Sequence, residues 1–280
     1  MQFLMFTKHL QELPIAQAGE VVKELGFDGV DLTVRPGGHV APERVEHDLP
    51  EAVRVLRSLG LVTGFITTAI TGPEDPYAEA IFRTAAEQGI RFLKLGYWRY
   101  EGFGSLRRQI AETREKLRYI QKLARTYGVR ACIHSHSGPY LSAVAPVVAM
   151  LLEGFDPDAL GAYVDPGHMT VEGGGAGWKI GLDLLSDRIS LVAVKSFGWF
   201  REPDKSGRMI WRHKLVPLEE GTVRWDEVFA CLRQAGFDGY VSLHSEYQGP
   251  GSWRDLSLSE LIEQTRRDLA YIKRVVAGSM

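Results

Sequence analysis

Along the 280-residue chain, short apolar runs of about four to six residues alternate with longer amphipathic stretches, the spacing expected of strands and helices taken in turn. A glycine sits at most of the junctions, as in KELGFDGVDL, RSLGLVTGFI, AEQGIRFLKL, RTYGVRACIH and RQAGFDGYVSL. Glycine there suits the left-handed position just past a helix C-terminus. Strands are predicted near residues 2–7, 29–34, 61–67, 91–96, 129–134, 160–165, 189–195 and 239–244, each followed by a helix or a long loop. A strand–helix repeat implies a parallel sheet, and eight such units in a chain of this length predict a single (β/α)8 TIM barrel, class α/β.

The competing architecture, an open doubly wound sheet, would carry a glycine-rich phosphate loop after the first strand, and none is present. GGGAG at residues 173–177 comes after the sixth strand without dinucleotide-binding spacing, and reads as a flexible loop. The GFDG turn before strand two recurs before strand eight, as expected of like units. No low-complexity linker interrupts the chain, so residues 1–280 read as one domain. The longest irregular piece is FGWFREPDKSGRMIWRHKLVPLEEG, after strand seven.

Hydrophobic content of 45%, charged content of 24% and a formal charge of −2 describe an ordinary globule with a substantial core. Nothing favours nucleic acid or an anionic membrane as a partner. No signal-peptide pattern and no run of about 18 apolar residues occurs, which points to the cytoplasm. Cys132 and Cys231 are expected as unpaired core thiols.

In a barrel of this kind chemistry sits at the C-terminal ends of the strands. Period-two alternation collects Asp31, Lys94, His134, His136, Asp165, His168, Lys195, His244 and Glu246 there. Buried ionisable groups cost several kcal/mol unless paired or ligated, so the cluster points to a metal or an acid/base site. Arg35 and Arg99, at the ends of strands two and four, are placed to meet a phosphate or to lie on the surface.

The segments IHSHSG, YVDPGHMTVEGG, AVKSFGW, VPLEEGTVRWDEVF and GYVSLHSEY, set in this rhythm, resemble the xylose-isomerase-like TIM barrels of the sugar phosphate isomerase/epimerase superfamily. The resemblance covers nearly the whole chain. It implies one divalent ion held by Glu, Asp, His and Glu from strands five to eight, with the two glutamates moving protons at adjacent carbons. Asp165 matches that set. His134 stands at the strand-five glutamate position, Ala193 at the strand-seven histidine position and His244 at the strand-eight glutamate position.

On this basis His134, Asp165 and His244 are the candidate metal ligands, with Glu246 as a fourth. Imidazole ligands favour Mn, Zn, Fe or Ni over Mg. Glu246, Lys195 and His136 are the candidate catalytic groups. His168, which the resemblance places against substrate hydroxyls, and Asp31, Lys94 and Trp199 are candidate substrate contacts; Trp98, Trp178 and Trp211 also fall in loops, where indoles can stack on the apolar faces of sugars. The implied activity is isomerisation or epimerisation of a small carbohydrate by proton abstraction next to a carbonyl. A lyase acting on a keto-sugar or keto-inositol would share the enolate, and a sugar-binding barrel without activity is the third reading. A homo-oligomer is compatible with all three.

Overall fold

All eight apolar runs are strands, and they close into one parallel barrel. The computed structural model describes residues 1–278. In chain order the strands are β1 (Gln2–Phe6), β2 (Gly29–Val34), β3 (Val62–Thr68), β4 (Phe92–Lys94), β5 (Arg130–His134), β6 (Leu160–Val164), β7 (Ile189–Val194), β8 (Ser196–Pro203), β9 (Met209–Val216) and β10 (Tyr240–Leu243). The barrel runs β1-β10-β7-β6-β5-β4-β3-β2, and β8 pairs with β9 outside it. Helices α1 (Ile15–Leu25), α2 (Val45–Ser58), α3 (Ala78–Glu87), α4 (Leu106–Tyr127), α5 (Ala145–Leu152), α6 (Pro166–Leu184), α7 (Trp225–Gln234) and α8 (Leu258–Gly278) follow the barrel strands in turn. The recurring GFDG turns do what their glycines suggested: Gly26 and Gly236 end α1 and α7 with φ of 87° and 73°.

Two apolar layers hold the barrel. Leu4, Phe65, Cys132, Tyr163, Leu191 and Ala193 plug its interior, while a larger layer fills the space between strands and helices. The plug fixes parity. Two residues beyond Cys132 and Ala193 on their strands, His134 and Lys195 must also point inward, one layer nearer the C-terminal mouth. Ala193 therefore belongs to the apolar plug, beneath the polar layer. Cys132 and Cys231 are both free thiols. Among the described residues no helix is long and apolar enough to cross a membrane.

Two segments differ from the sequence expectation. The long piece after strand seven is an antiparallel hairpin in register from Ser196–Val216 to Pro203–Met209. Its DKSG turn closes because the Asp204 carboxylate accepts from the amides of Ser206 (2.8 Å) and Arg208 (3.0 Å) while Gly207 takes φ 83°. GGGAG is not a loop: it lies within α6, and the helix kinks at Gly174, whose φ of 61° and ψ of −152° break the helical geometry.

Candidate active site

Asp165 is the hub of the polar layer, and local sequence explains its place. The residue ends β6 and caps α6, its Oδ1 accepting from the His168 amide at 3.1 Å, with Pro166 at the first helical position. Gly167 allows the close approach that follows: a Cβ there would lie 2.5 Å from the Lys195 carbonyl oxygen. The helix N-terminus and the end of β7 are thereby pressed together. Asp165 Oδ2 then lies 3.1 Å from Lys195 Nζ, 3.2 Å from His134 Nε2 and 3.8 Å from His168 Nε2.

Lys195 is 1% exposed and reaches three groups at once. Besides Asp165, its ammonium faces His244 Nδ1 at 3.4 Å and Glu246 Oε2 at 3.5 Å. Burial alone would lower its pKa, but Asp165 and Glu246 outweigh burial and hold the ammonium above its usual range. Glu246 also accepts from Lys8 at 2.9 Å. Burial favours its neutral form, yet Lys195 and then Lys8 hold the carboxyl well below the ordinary range, so Glu246 is ionised.

The histidines are neutral. Burial, then the Lys195 ammonium, pushes His134, His168 and His244 well below the usual imidazole value and His136 to about 4. With Tyr97 held as a phenol by burial, its hydroxyl donates to His134 Nδ1 at 2.7 Å, and His134 Nε2 donates to Asp165. His244 Nδ1 accepts from Lys195, leaving its Nε2 to donate to the Tyr163 hydroxyl at 2.8 Å. Tyr163 also stacks on His134, with ring centroids 4.3 Å apart.

The sequence-selected residues converge unevenly. Lys94, His134, His136, Lys195, His244 and Glu246 line one cavity of about 80 Å³ at the C-terminal ends of the strands. Asp31 lies beneath its floor, fully buried, accepting from Thr67 (2.6 Å) and Ser242 (3.1 Å); burial pushes its pKa up to about 7. His168 sits behind His136, ring centroids 3.9 Å apart, with Nδ1 bonded to Ser137 Oγ at 2.7 Å; its Nε2 has no hydrogen-bond partner. Trp199 is a correction. The hairpin carries it away from the cavity, 46% exposed and edge-on to His213, so it does not contact a molecule held there. Arg99 lies in a separate cleft with Glu101 and Gln109. Sequence reasoning missed Lys8, Tyr97, Tyr163 and Ser137. Only Tyr163, two residues before Asp165, was within reach of the parity argument.

The set His134, Asp165 and His244 does not fit a divalent ion as the side chains stand. Metal–donor distances near 2.1 Å require ligand lone pairs to share one centre. Here the Lys195 ammonium occupies that centre, His134 has both ring nitrogens committed, and His244 Nδ1 faces the ammonium. Among the described residues no group of three or more His, Cys, Asp or Glu side chains is arranged to hold a metal. What the arrangement offers instead is a buried fixed cation beside an ionised carboxylate.

The comparisons with known proteins agree with this architecture. The family model described as xylose isomerase-like TIM barrel matches residues 20–275. The solved structure of the IOLI protein with a bound zinc atom is 14% identical and covers 100% of this chain and 99% of its own, with a TM-score of 0.76. D-psicose 3-epimerase from Clostridium cellulolyticum H10, solved with D-tagatose, is 15% identical over 99% of both chains, TM-score 0.73. The probable 3-DHS dehydratase AsbF from Bacillus anthracis is 19% identical over 96% of this chain and 99% of its own, TM-score 0.71. At these identities the likeness is one of fold, and the match of the family model over most of the sequence places the chain in the xylose isomerase-like TIM barrel family.

Proposed function

We propose that the protein is an enzyme that removes a proton from the carbon next to a carbonyl in a sugar or sugar-like compound, isomerising or epimerising it, with the Lys195 ammonium as the electrophile. One observation carries this reading: a buried ammonium and an ionised carboxylate lie 3.5 Å apart on the wall of the same cavity. Enolisation needs that pair, a base for the C–H and a positive group for the oxygen.

In the proposed step the Glu246 carboxylate takes the proton from carbon, the C–H electron pair forms the C=C bond, and the carbonyl π electrons move to oxygen beside Lys195 Nζ. Protonating Glu246 removes one of the ammonium's counter-charges as the oxyanion forms, so the cation passes from one anion to the other without leaving its place. This coupling offsets the weak basicity of a carboxylate with a depressed pKa. Asp165, fixed by the α6 amide and by His134, keeps the ammonium charged and aimed. Protonation of the same carbon from water on the opposite face, with Glu246 giving up its proton to solvent, gives epimerisation; return of the Glu246 proton to the former carbonyl carbon, with the proton of the neighbouring hydroxyl passing to the oxyanion, gives isomerisation.

Solvent deuterium washing into a panel of ketoses, keto-sugars and keto acids tests the reading. Glu246→Gln should slow wash-in by about 10²–10⁴, the usual worth of a positioned base, and Lys195→Met by up to about 10³. Wash-in at the wild-type rate in Glu246→Gln would remove Glu246 as the base. Wash-in accompanied by loss of water would place the reaction among dehydratases, and binding without any wash-in would make the barrel a sugar-binding protein.

A further inference from the structure

The cavity gathers more basic side chains than proton transfer needs. Its lining includes Lys8, Arg35, Lys94 and Lys195 against a single carboxylate, Glu246. Lys195 and Lys8 are accounted for by Asp165 and Glu246. Among the described residues, the Arg35 and Lys94 side chains make no hydrogen bond and no ion pair. Lys94 is 2% exposed, and its Nζ stands 3.5 Å from the centroid of the Tyr97 ring. The Arg35 guanidinium lies 5.7 Å from the Phe6 ring. Both rings also line the cavity.

An aromatic face compensates a buried ammonium only in part, and burial, then the nearby Arg35 guanidinium, pushes the Lys94 pKa well below its ordinary range. The Asp31 carboxyl beneath Lys94 gives limited relief, because its oxygens are taken by Thr67 and Ser242 and burial pushes its pKa up to about 7. A fork-shaped guanidinium and a lysine amine, both without hydrogen-bond or ion-pair partners and both lining one cavity, are complementary to the oxygens of an anion, whose arrival favours the charged form of the lysine.

We infer that Arg35 and Lys94 form a receptor for an oxyanion carried by the substrate, so that the site takes a short anionic carbonyl compound in preference to a neutral ketose. This rests on the enolisation reading above and names the substrate class for it. The anion sits on the β2–β4 side of the mouth, and the reacting carbons face Glu246 and Lys195 on the β7–β10 side. At about 80 Å³ the cavity is small beside the roughly 300–1,000 Å³ of drug-sized ligand sites, which favours a short substrate. Carboxylate and phosphate share the required chemistry.

Three unreactive three-carbon probes separate the cases: glycerate, glycerol phosphate and glycerol, titrated into the intact protein by calorimetry and by thermal shift. At least one anion should bind and raise Tm, more weakly as salt increases, while glycerol should not. Whichever anion binds identifies the group recognised. Its affinity should fall by about tenfold or more in Lys94→Met and in Arg35→Gln, the latter at a half-buried position where misfolding is not a concern. Equal binding of glycerol, binding unchanged in both variants, or no binding of either anion at millimolar concentration would overturn the receptor. The probes cannot enolise, so they read the receptor alone. Anion binding with no wash-in into any carbonyl compound would remove the enolisation and leave the receptor, and wash-in into neutral ketoses with no anion binding would do the reverse.

Discussion

At the scale of single residues, strand parity carried the sequence reading furthest. His134 and Lys195 were legible because each lies two positions beyond a plug residue, Cys132 and Ala193, His134 at the end of β5 and Lys195 one residue past the end of β7. What parity could not supply was the pairing of protons. The hydroxyl that engages His134 Nδ1 belongs to Tyr97, from irregular chain after β4 where alternation no longer applies, and this contact turns a would-be metal ligand into a neutral donor to Asp165. Asp31 was correctly placed as inward but lies a layer too deep to meet a substrate. Its folded pKa, raised from 3.8 to about 7 chiefly by burial, has a consequence for stability. A group raised on folding contributes stability that is fully present below its unfolded value and is lost as pH climbs through the folded value, here between about pH 4 and 7. Asp31→Asn removes that titration while keeping an acceptor for Thr67. The difference in Tm between variant and wild type should therefore move in the variant's favour from pH 5 to pH 8, by an amount on the order of a few kcal/mol in stability. A pH-independent difference would mean that Asp31 is ionised throughout.

At the scale of elements, the junction of β6, α6 and β7 assembles the site, and Gly167 is its tightest point. Asp-Pro-Gly-His was legible as a strand end, a cap and a helix start. That its glycine marks a contact with the next strand was not, because the neighbour is brought by the fold. An alanine side chain 2.5 Å from the Lys195 carbonyl must push α6 and β7 apart, and this separates Asp165 from the ammonium. Gly167→Ala should destabilise by about 1–3 kcal/mol, the usual cost of overpacking, and should depress wash-in even at temperatures where the variant is fully folded. Gly175→Ala is the control: a Cβ there meets nothing within 4 Å, so both properties should be little changed. Equal behaviour of the two variants would show that the junction tolerates displacement. The β8–β9 hairpin escaped the sequence reading for a related reason. Burial along β8 does alternate, but the residue types do not follow it: Trp199 and Trp211 are exposed and Gly198 and Pro203 interrupt the run, so no alternation of apolar and polar residues marks the hairpin.

For the whole molecule, the eightfold rhythm was enough to give the barrel, since most units repeat the same glycine-ended helix and apolar strand. Function was less legible, because it depends on which charge occupies the middle of the mouth. The resemblance implied a divalent ion there, and the solved IOLI relative carries zinc. In this chain Asp165, His244 and Glu246 surround the ammonium of Lys195 instead. A lysine in that position is a fixed charge that needs no loading and survives chelation. Placing a second cation within a few ångströms of a buried ammonium is opposed by strong repulsion at low dielectric.

The most direct test is the metal content of the folded wild-type protein, measured by elemental analysis after equilibrium dialysis against Mn²⁺ or Zn²⁺ and then against metal-free buffer. The account predicts far less than one equivalent per chain, with deuterium wash-in unchanged by EDTA. One tightly held equivalent per chain, released in Asp165→Ala together with wash-in activity, would contradict it.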